Sequence, residues 1–129
     1  MDGRYLLDTN VIISLFARDP QIHDRVAKAI EVFVSSVAVG ELYFGAYKSL
    51  RPEENVSLID EFTLHNTVLA CDAFTAKKYG DIKNRLKEKG SPIPENDIWI
   101  AATAQQYALT LLTKDSHFKE VEDLSIETW

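Results

Sequence analysis

The sequence has one cysteine, no charged leader followed by an apolar segment, no apolar run of membrane-spanning length and no excess of basic residues. A single Cys71 excludes an internal disulfide and fits a reducing compartment, where its expected place is that of a small buried apolar residue. The missing leader and the missing apolar run point to a soluble, cytoplasmic protein without membrane contact. Also missing are a Ser/His/Asp pattern, a phosphate-binding glycine loop and a CxxC pair, which removes three common enzyme classes. A net charge of −6 argues against tight, non-specific binding to duplex nucleic acid. No repeat, low-complexity tract or linker interrupts the chain, so residues 1–129 are expected to form one domain.

What is present is a hydrophobic fraction of 46%, ample for a packed core. Short β-like runs alternate with longer helical ones. Strands are expected over 4–7, 32–35, 67–70 and 110–113, with a final edge strand over 124–126. Helices are expected over 10–17, 23–29, 37–47, 52–62, 73–89 and 97–107, with Pro20 as a break and Gly90 as a C-terminal stop. This alternation predicts an α/β domain whose mainly parallel sheet is covered on both faces. In such sheets ligands sit beyond the carboxyl ends of strands where the strand order reverses.

Four acids stand at the edges of apolar segments: Asp8 after Leu6-Leu7, Glu41 after Val39-Gly40, Asp97 before Ile98-Trp99-Ile100, and Asp115 after Leu112-Thr113-Lys114. An ionised carboxylate there is costly unless a cation or hydrogen bonds compensate it. Four of them converging would suit a hard divalent ion such as Mg²⁺ or Mn²⁺, whose preferred ligands are carboxylate oxygens. The residues therefore point to a metal-dependent phosphodiesterase acting on RNA. Four of the six excess negative charges belong to this candidate site, so the acidic balance does not contradict that reading. On a helix, Asp97, Ile100, Ala101, Ala104 and Ala108 share one stripe, which makes Asp97 the head of a buried face. The plainer alternative is a carboxylate on the helix dipole, worth about 0.3–1 kcal/mol, although Asn96 competes as the N-cap. Glu41 has Val37, Ala38, Phe44 and Gly45 as its helical neighbours, and Gly40 and Gly45 would allow close approach of a backbone or ligand. Asp8-Thr9-Asn10 also reads as a capping sequence, and Lys114-Asp115-Ser116-His117 as an ordinary polar loop. His23, His65 and His117 lack metal-ligand spacing and are expected in surface or packing roles. Lys77, Lys78, Lys83, Arg85, Lys87 and Lys89 form a solvated helix face that is also the best basic surface for phosphate contacts.

Leu7-Asp8-Thr9-Asn10, then Gly40-Glu41-Leu42 with Phe44-Gly45-Ala46, then Asp97-Ile98-Trp99-Ile100-Ala101-Ala102-Thr103-Ala104, then Thr113-Lys114-Asp115 before Phe118 make an ordered set. That set resembles the PIN-domain nucleases, specifically the VapC-type toxins of bacterial and archaeal toxin–antitoxin pairs. The resemblance spans essentially the whole chain. It implies a three-layer α/β/α fold, a shared carboxylate site, Mg²⁺ or Mn²⁺, and endonucleolytic cleavage of RNA that leaves a 5′-phosphate and a 3′-hydroxyl. It further implies a homodimer and a VapB-like antitoxin whose C-terminal segment wraps the toxin. In this scheme Asp8 and Asp97 serve a cation that activates water, while Asp115 and Glu41 serve a second one at the leaving oxygen. Asn10 and Thr113 would support the acids or position water. Three other readings stay open: an RNA-processing PIN nuclease without an antitoxin, an inactive binding module of the same fold, and a phosphoryl-transfer enzyme with Asp8 as nucleophile. The last lacks a paired second aspartate, since Asn10 stands in that place.

Overall fold

The computed structural model describes residues 3–128. Its strands are β1 (Arg4–Leu7), β2 (Glu31–Ser35), β3 (Thr67–Leu69), β4 (Thr110–Thr113) and β5 (Ile126–Thr128). Its helices are α1 (Thr9–Phe16), α2 (Pro20–Ala27), α3 (Ser36–Tyr47), α4 (Pro52–Leu64), α5 (Ala73–Glu88) and α6 (Glu95–Gln106), followed by a 3-10 turn over Ser116–Glu120. All strand pairings are parallel, and the sheet order is β3-β2-β1-β4-β5. The chain winds outward from β1 to β3, then crosses back to place β4 on the other side of β1. Helices of the outward and return crossovers cover the two faces, giving the three-layer α/β/α arrangement.

Strand register aligns the ends of β1 and β4. Leu7 lies opposite Leu112, and the Asp8 amide donates to the Leu112 carbonyl at 2.9 Å. The residues just beyond these two strands therefore emerge side by side at the switch point. Leu6, Leu7, Val34, Leu111 and Leu112 bury the sheet centre, and Phe118 of the 3-10 turn is fully enclosed. At about 25 cal/mol per Å² of apolar surface removed from water, such enclosed side chains are what hold these strand ends in place.

Local chemistry accounts for the element ends. Ser35 closes β2 and caps α3, its Oγ accepting from the Ala38 amide at 3.1 Å. Asp72 caps α5, and Gly90 comes after that helix at φ 70°, a backbone region that favours glycine.

Several expectations need correction. Pro20 does not break the chain but begins α2, because Asp19 accepts from the Gln21 and Ile22 amides and proline suits a first turn. Helix α6 starts at Glu95, directly after Pro94, so Asn96 lies within its first turn and is not the N-cap. It ends at Gln106, leaving Ala108 outside the helix at φ 54°. The expected stripe becomes nearly a whole circumference: Ile98, Ile100, Ala101, Ala102, Thr103 and Ala104 are all buried, since α6 packs against both α3 and α5. The last strand lies two residues later than expected, with Leu124 packed on the core before it. Cys71 is exposed, because the short connection from β3 to α5 runs over the surface.

Ser35→Ala removes a buried cap that aims α3 and is expected to cost about 1 kcal/mol. Urea denaturation measures this as a lower midpoint with an unchanged slope; an unchanged midpoint would show that the cap carries no weight.

Candidate active site

Each acid reaches the cleft on a different element. Asp8 leaves β1 and caps α1, with Oδ1 accepting from the Thr9 amide at 2.9 Å and Oδ2 from the Thr113 hydroxyl at 2.6 Å. It is 2% exposed. Thr113, fully buried at the end of β4, also accepts from the Asp115 amide at 3.0 Å. Asn10 ties the same loop to α1: its Oδ1 accepts from the Lys114 amide at 3.2 Å, and its Nδ2 donates to Asp115 Oδ2 at 3.1 Å. Glu41, from α3, accepts from the Thr9 hydroxyl at 2.7 Å and from the Asn96 side-chain amide at 3.4 Å. Asp97 sits in the first turn of α6, which has no side-chain cap; its Oδ2 instead receives His117 Nε2 at 2.7 Å.

All four acids thus line one open cleft of about 520 Å³, together with Thr9, Asn10, Asn96 and His117. Among the described residues no lysine or arginine lines it. Burial raises the Asp8 carboxyl to about 6 from its ordinary 3.8; the Thr113 and Thr9 bonds oppose this, while the charges of Asp97 and Asp115 add to it. Asp97 is raised too, first by burial and then by Glu41 and Asp115, against the pull of His117. Each of these carboxylates has a hydrogen-bond donor, but no lysine or arginine lines the space they share. Donor atoms of Asp97, Asp115 and His117 lie within 4.8 Å of one another, close enough for one ion to bridge them. A hard divalent cation fits the chemistry of this donor set and would offset the burial, and the lesser repulsion, that raise Asp8 and Asp97.

The basic helix is divided. Lys83 reaches the cleft side, where its Nζ lies 3.2 Å from Glu95, and Glu95 lines the cleft. Lys78, Arg85 and Lys89 instead line a separate cavity of about 680 Å³ at the amino ends of β4 and β5, where Arg85 pairs with Asp81 and Glu122, and Lys89 with Glu120. Lys77 and Lys87 are exposed along α5. An ideal Cβ on Gly40 or Gly45 would meet nothing within 4 Å, so no approach within this chain requires glycine at either position. Phe44, expected on the apolar side with Glu41, is 66% exposed.

His117 is the residue that sequence reasoning missed. The expected surface or packing role holds for His23 and His65, which bond the Leu15 and Glu61 carbonyls. It fails for His117, because the 3-10 turn after Asp115 swings the ring onto Asp97. Its adjacency to Asp115 and to the buried Phe118 was the available signal. Thr9 and Asn96, which read in the sequence only as capping residues, both donate to Glu41.

Known proteins share the chain's sequence pattern and fold along nearly its whole length. The sequence profile of the PIN domain matches residues 5–124. Ribonuclease VapC2 of Haemophilus influenzae is 40% identical over 129 residues, covering 98% of each chain. A tRNA(fMet)-specific endonuclease VapC of Salmonella typhimurium is 32% identical over 129 residues, again 98% of each. Among solved structures, DNA-bound VapBC from Salmonella typhimurium matches with a TM-score of 0.91 at 31% identity, covering 98% of both chains. VapBC2 from Rickettsia felis, bound to a promoter DNA fragment, matches at 0.90 and 30% over the same share.

The raised Asp8 carboxyl has a signed consequence for stability. Its contribution is fully present below about pH 4 and is lost as pH rises through about 6, where ionisation inside the fold costs on the order of 3 kcal/mol. Without divalent ions, Asp8→Asn is therefore expected to unfold at higher urea than wild type at pH 8, and the two should converge at pH 4. Equal midpoints at both pH values would remove the electrostatic reading of this site.

Proposed function

The chain belongs to the PIN-domain family, among the VapC ribonucleases of VapBC toxin–antitoxin pairs, and we propose that it hydrolyses RNA phosphodiester bonds at a divalent-cation site formed by Asp8, Glu41, Asp97 and Asp115. One observation carries this reading: four carboxylates from four separate elements meet at the switch-point crevice with no lysine or arginine lining it. Such a field repels a phosphate unless a cation intervenes. When bound, Mg²⁺ or Mn²⁺ lowers the pKa of an attacking water and offsets charge that develops on the phosphate.

The chain's own residues prepare the site. Thr113 and the Thr9 amide fix both oxygens of Asp8, so the carboxylate is held in one orientation at the cleft wall. Asn10 holds the Asp115 loop against α1, while Thr9 and Asn96 together orient Glu41. Preorganised donors and acceptors of this kind need no rearrangement when the reaction occurs. Lys83 stands beside the cleft and the exposed Lys77 and Lys87 are further candidate phosphate contacts along α5, whereas Lys78, Arg85 and Lys89 face the separate cavity. An open cleft that needs access to a backbone phosphate suits single-stranded or looped RNA. Because relatives carry the name tRNA(fMet)-specific endonuclease, that tRNA is the first defined substrate to try.

A VapB-like antitoxin is the partner, and a basic side chain from it would fill the same acidic field. A homodimer in the cytoplasm completes the reading; among the described residues no helix is long and apolar enough to cross a membrane. The VapBC neighbours favour this over an RNA-processing nuclease without an antitoxin.

Antitoxin-free protein incubated with total RNA, or with tRNA(fMet), in Mg²⁺ or Mn²⁺ should give discrete new ends. EDTA should abolish them, and folded Asp97→Asn should reduce them by at least about 10²-fold, the scale of losing one charge-stabilising group. Cleavage that persists in both controls would overturn the assignment. Absence of any cleavage by folded, metal-loaded wild type would favour a binding module.

A further inference from the structure

We propose that His117 is a nitrogen ligand of the divalent-cation site, joining Asp97 and Asp115, and that it biases the site toward Mn²⁺ over Mg²⁺. This rests on the cation reading above and extends it to the ion's identity. The geometry is specific. His117 Nε2 lies 2.7 Å from Asp97 Oδ2, and one donor atom each from Asp97, Asp115 and His117 falls within a 4.8 Å cluster. Ligands of a single six-coordinate ion with bonds near 2.1 Å sit about 3–4 Å apart, so small side-chain adjustments suffice.

The ring is also held in place. It packs on Phe118 with centroids 4.8 Å apart, and Phe118 is fully buried in the core. The His117 side chain keeps 34% of its surface exposed, so it faces the cleft and has not withdrawn into the interior. In the absence of an ion, Nε2–H donates to Asp97. Ligation uses the tautomer with its proton on Nδ1, which frees the Nε2 lone pair and leaves Asp97 Oδ2 as a co-ligand.

Selectivity comes from donor type. Mg²⁺ is a hard ion that favours oxygen and near-ideal octahedral geometry, whereas imidazole nitrogen suits first-row transition ions. A site built from carboxylates alone gives Mn²⁺ little advantage over Mg²⁺. One imidazole shifts that balance toward Mn²⁺, even though Mn²⁺ is the weakest binder of its divalent series.

The test uses the full-length protein loaded with Mn²⁺ alone and reads electron spin-echo modulation from nitrogen. Wild type should show coupling to a histidine ¹⁴N that changes on ¹⁵N-histidine labelling, and His117→Gln should lose it. In competition, the Mg²⁺ needed to displace half the bound Mn²⁺ should fall by about tenfold in His117→Gln, the scale on which changes around metal ligands act. Mn²⁺ bound to wild type without histidine nitrogen coupling would overturn the proposal, leaving His117 to orient Asp97 by hydrogen bonding. The labelled wild type settles this point even where a variant folds poorly. An unchanged Mg²⁺/Mn²⁺ ratio in folded His117→Gln would also overturn it. Wild type that binds no Mn²⁺ at all would instead defeat the cation reading from which it starts.

Discussion

The hydrogen bond from Thr113 to Asp8 joins the ends of β1 and β4, and the cleft depends on it. It places an acceptor that is 2% exposed against a donor that is fully buried, 105 residues away in sequence. A carboxylate this deep is tolerable only where each oxygen has a partner, and the β1–β4 register supplies one of the two. A one-residue slip of β4 would turn Thr113 to the other face of the sheet and strip Asp8 of that partner. The same slip would carry Asp115 away from Asn10. Strand register, cap and site geometry are thus a single constraint.

The site is frustrated by design of its charges. Burial and neighbouring acids raise Asp8 and Asp97, against hydrogen bonds that pull the other way. A fold optimised for stability alone would place amides or apolar residues there. The surrounding architecture compensates with a sheet centre of enclosed aliphatic side chains and with α6, which is buried on nearly every side. The strain is concentrated where several elements converge and each is independently anchored.

Much of this was legible in the sequence. The strands announced themselves because each is a short apolar run bounded by turn residues. The four acids stood out because each interrupts such a run, and parallel α/β topology brings the ends of neighbouring strands together. What escaped were contacts whose partners are remote: Thr9 with Glu41 across 32 positions, Asn96 with Glu41 across 55, and His117 with Asp97 across 20. No local pattern marks a side chain as the far half of a pair. The start of α2 also differs from expectation: Pro20 reads as an interruption, whereas the Asp19 cap makes it the first residue of the helix. The basic run on α5 illustrates the limit of composition, since a helix distributes consecutive charges around its axis and sends Lys83 and Arg85 to different ends of the sheet.

The sheet order has a consequence for how the protein is made. β4 is inserted beside β1, at the centre of the sheet, although more than a hundred residues separate the start of one from the start of the other. While a ribosome is still translating the chain, the emerged portion has β1 with a bare edge, Asp8 without Thr113, and neither Asp115 nor His117. Vectorial synthesis therefore delays assembly of the cleft until β4 has left the exit tunnel. Until that strand is made there is no closed cleft, and the chain through β3 carries only two of the four acids, Asp8 and Glu41.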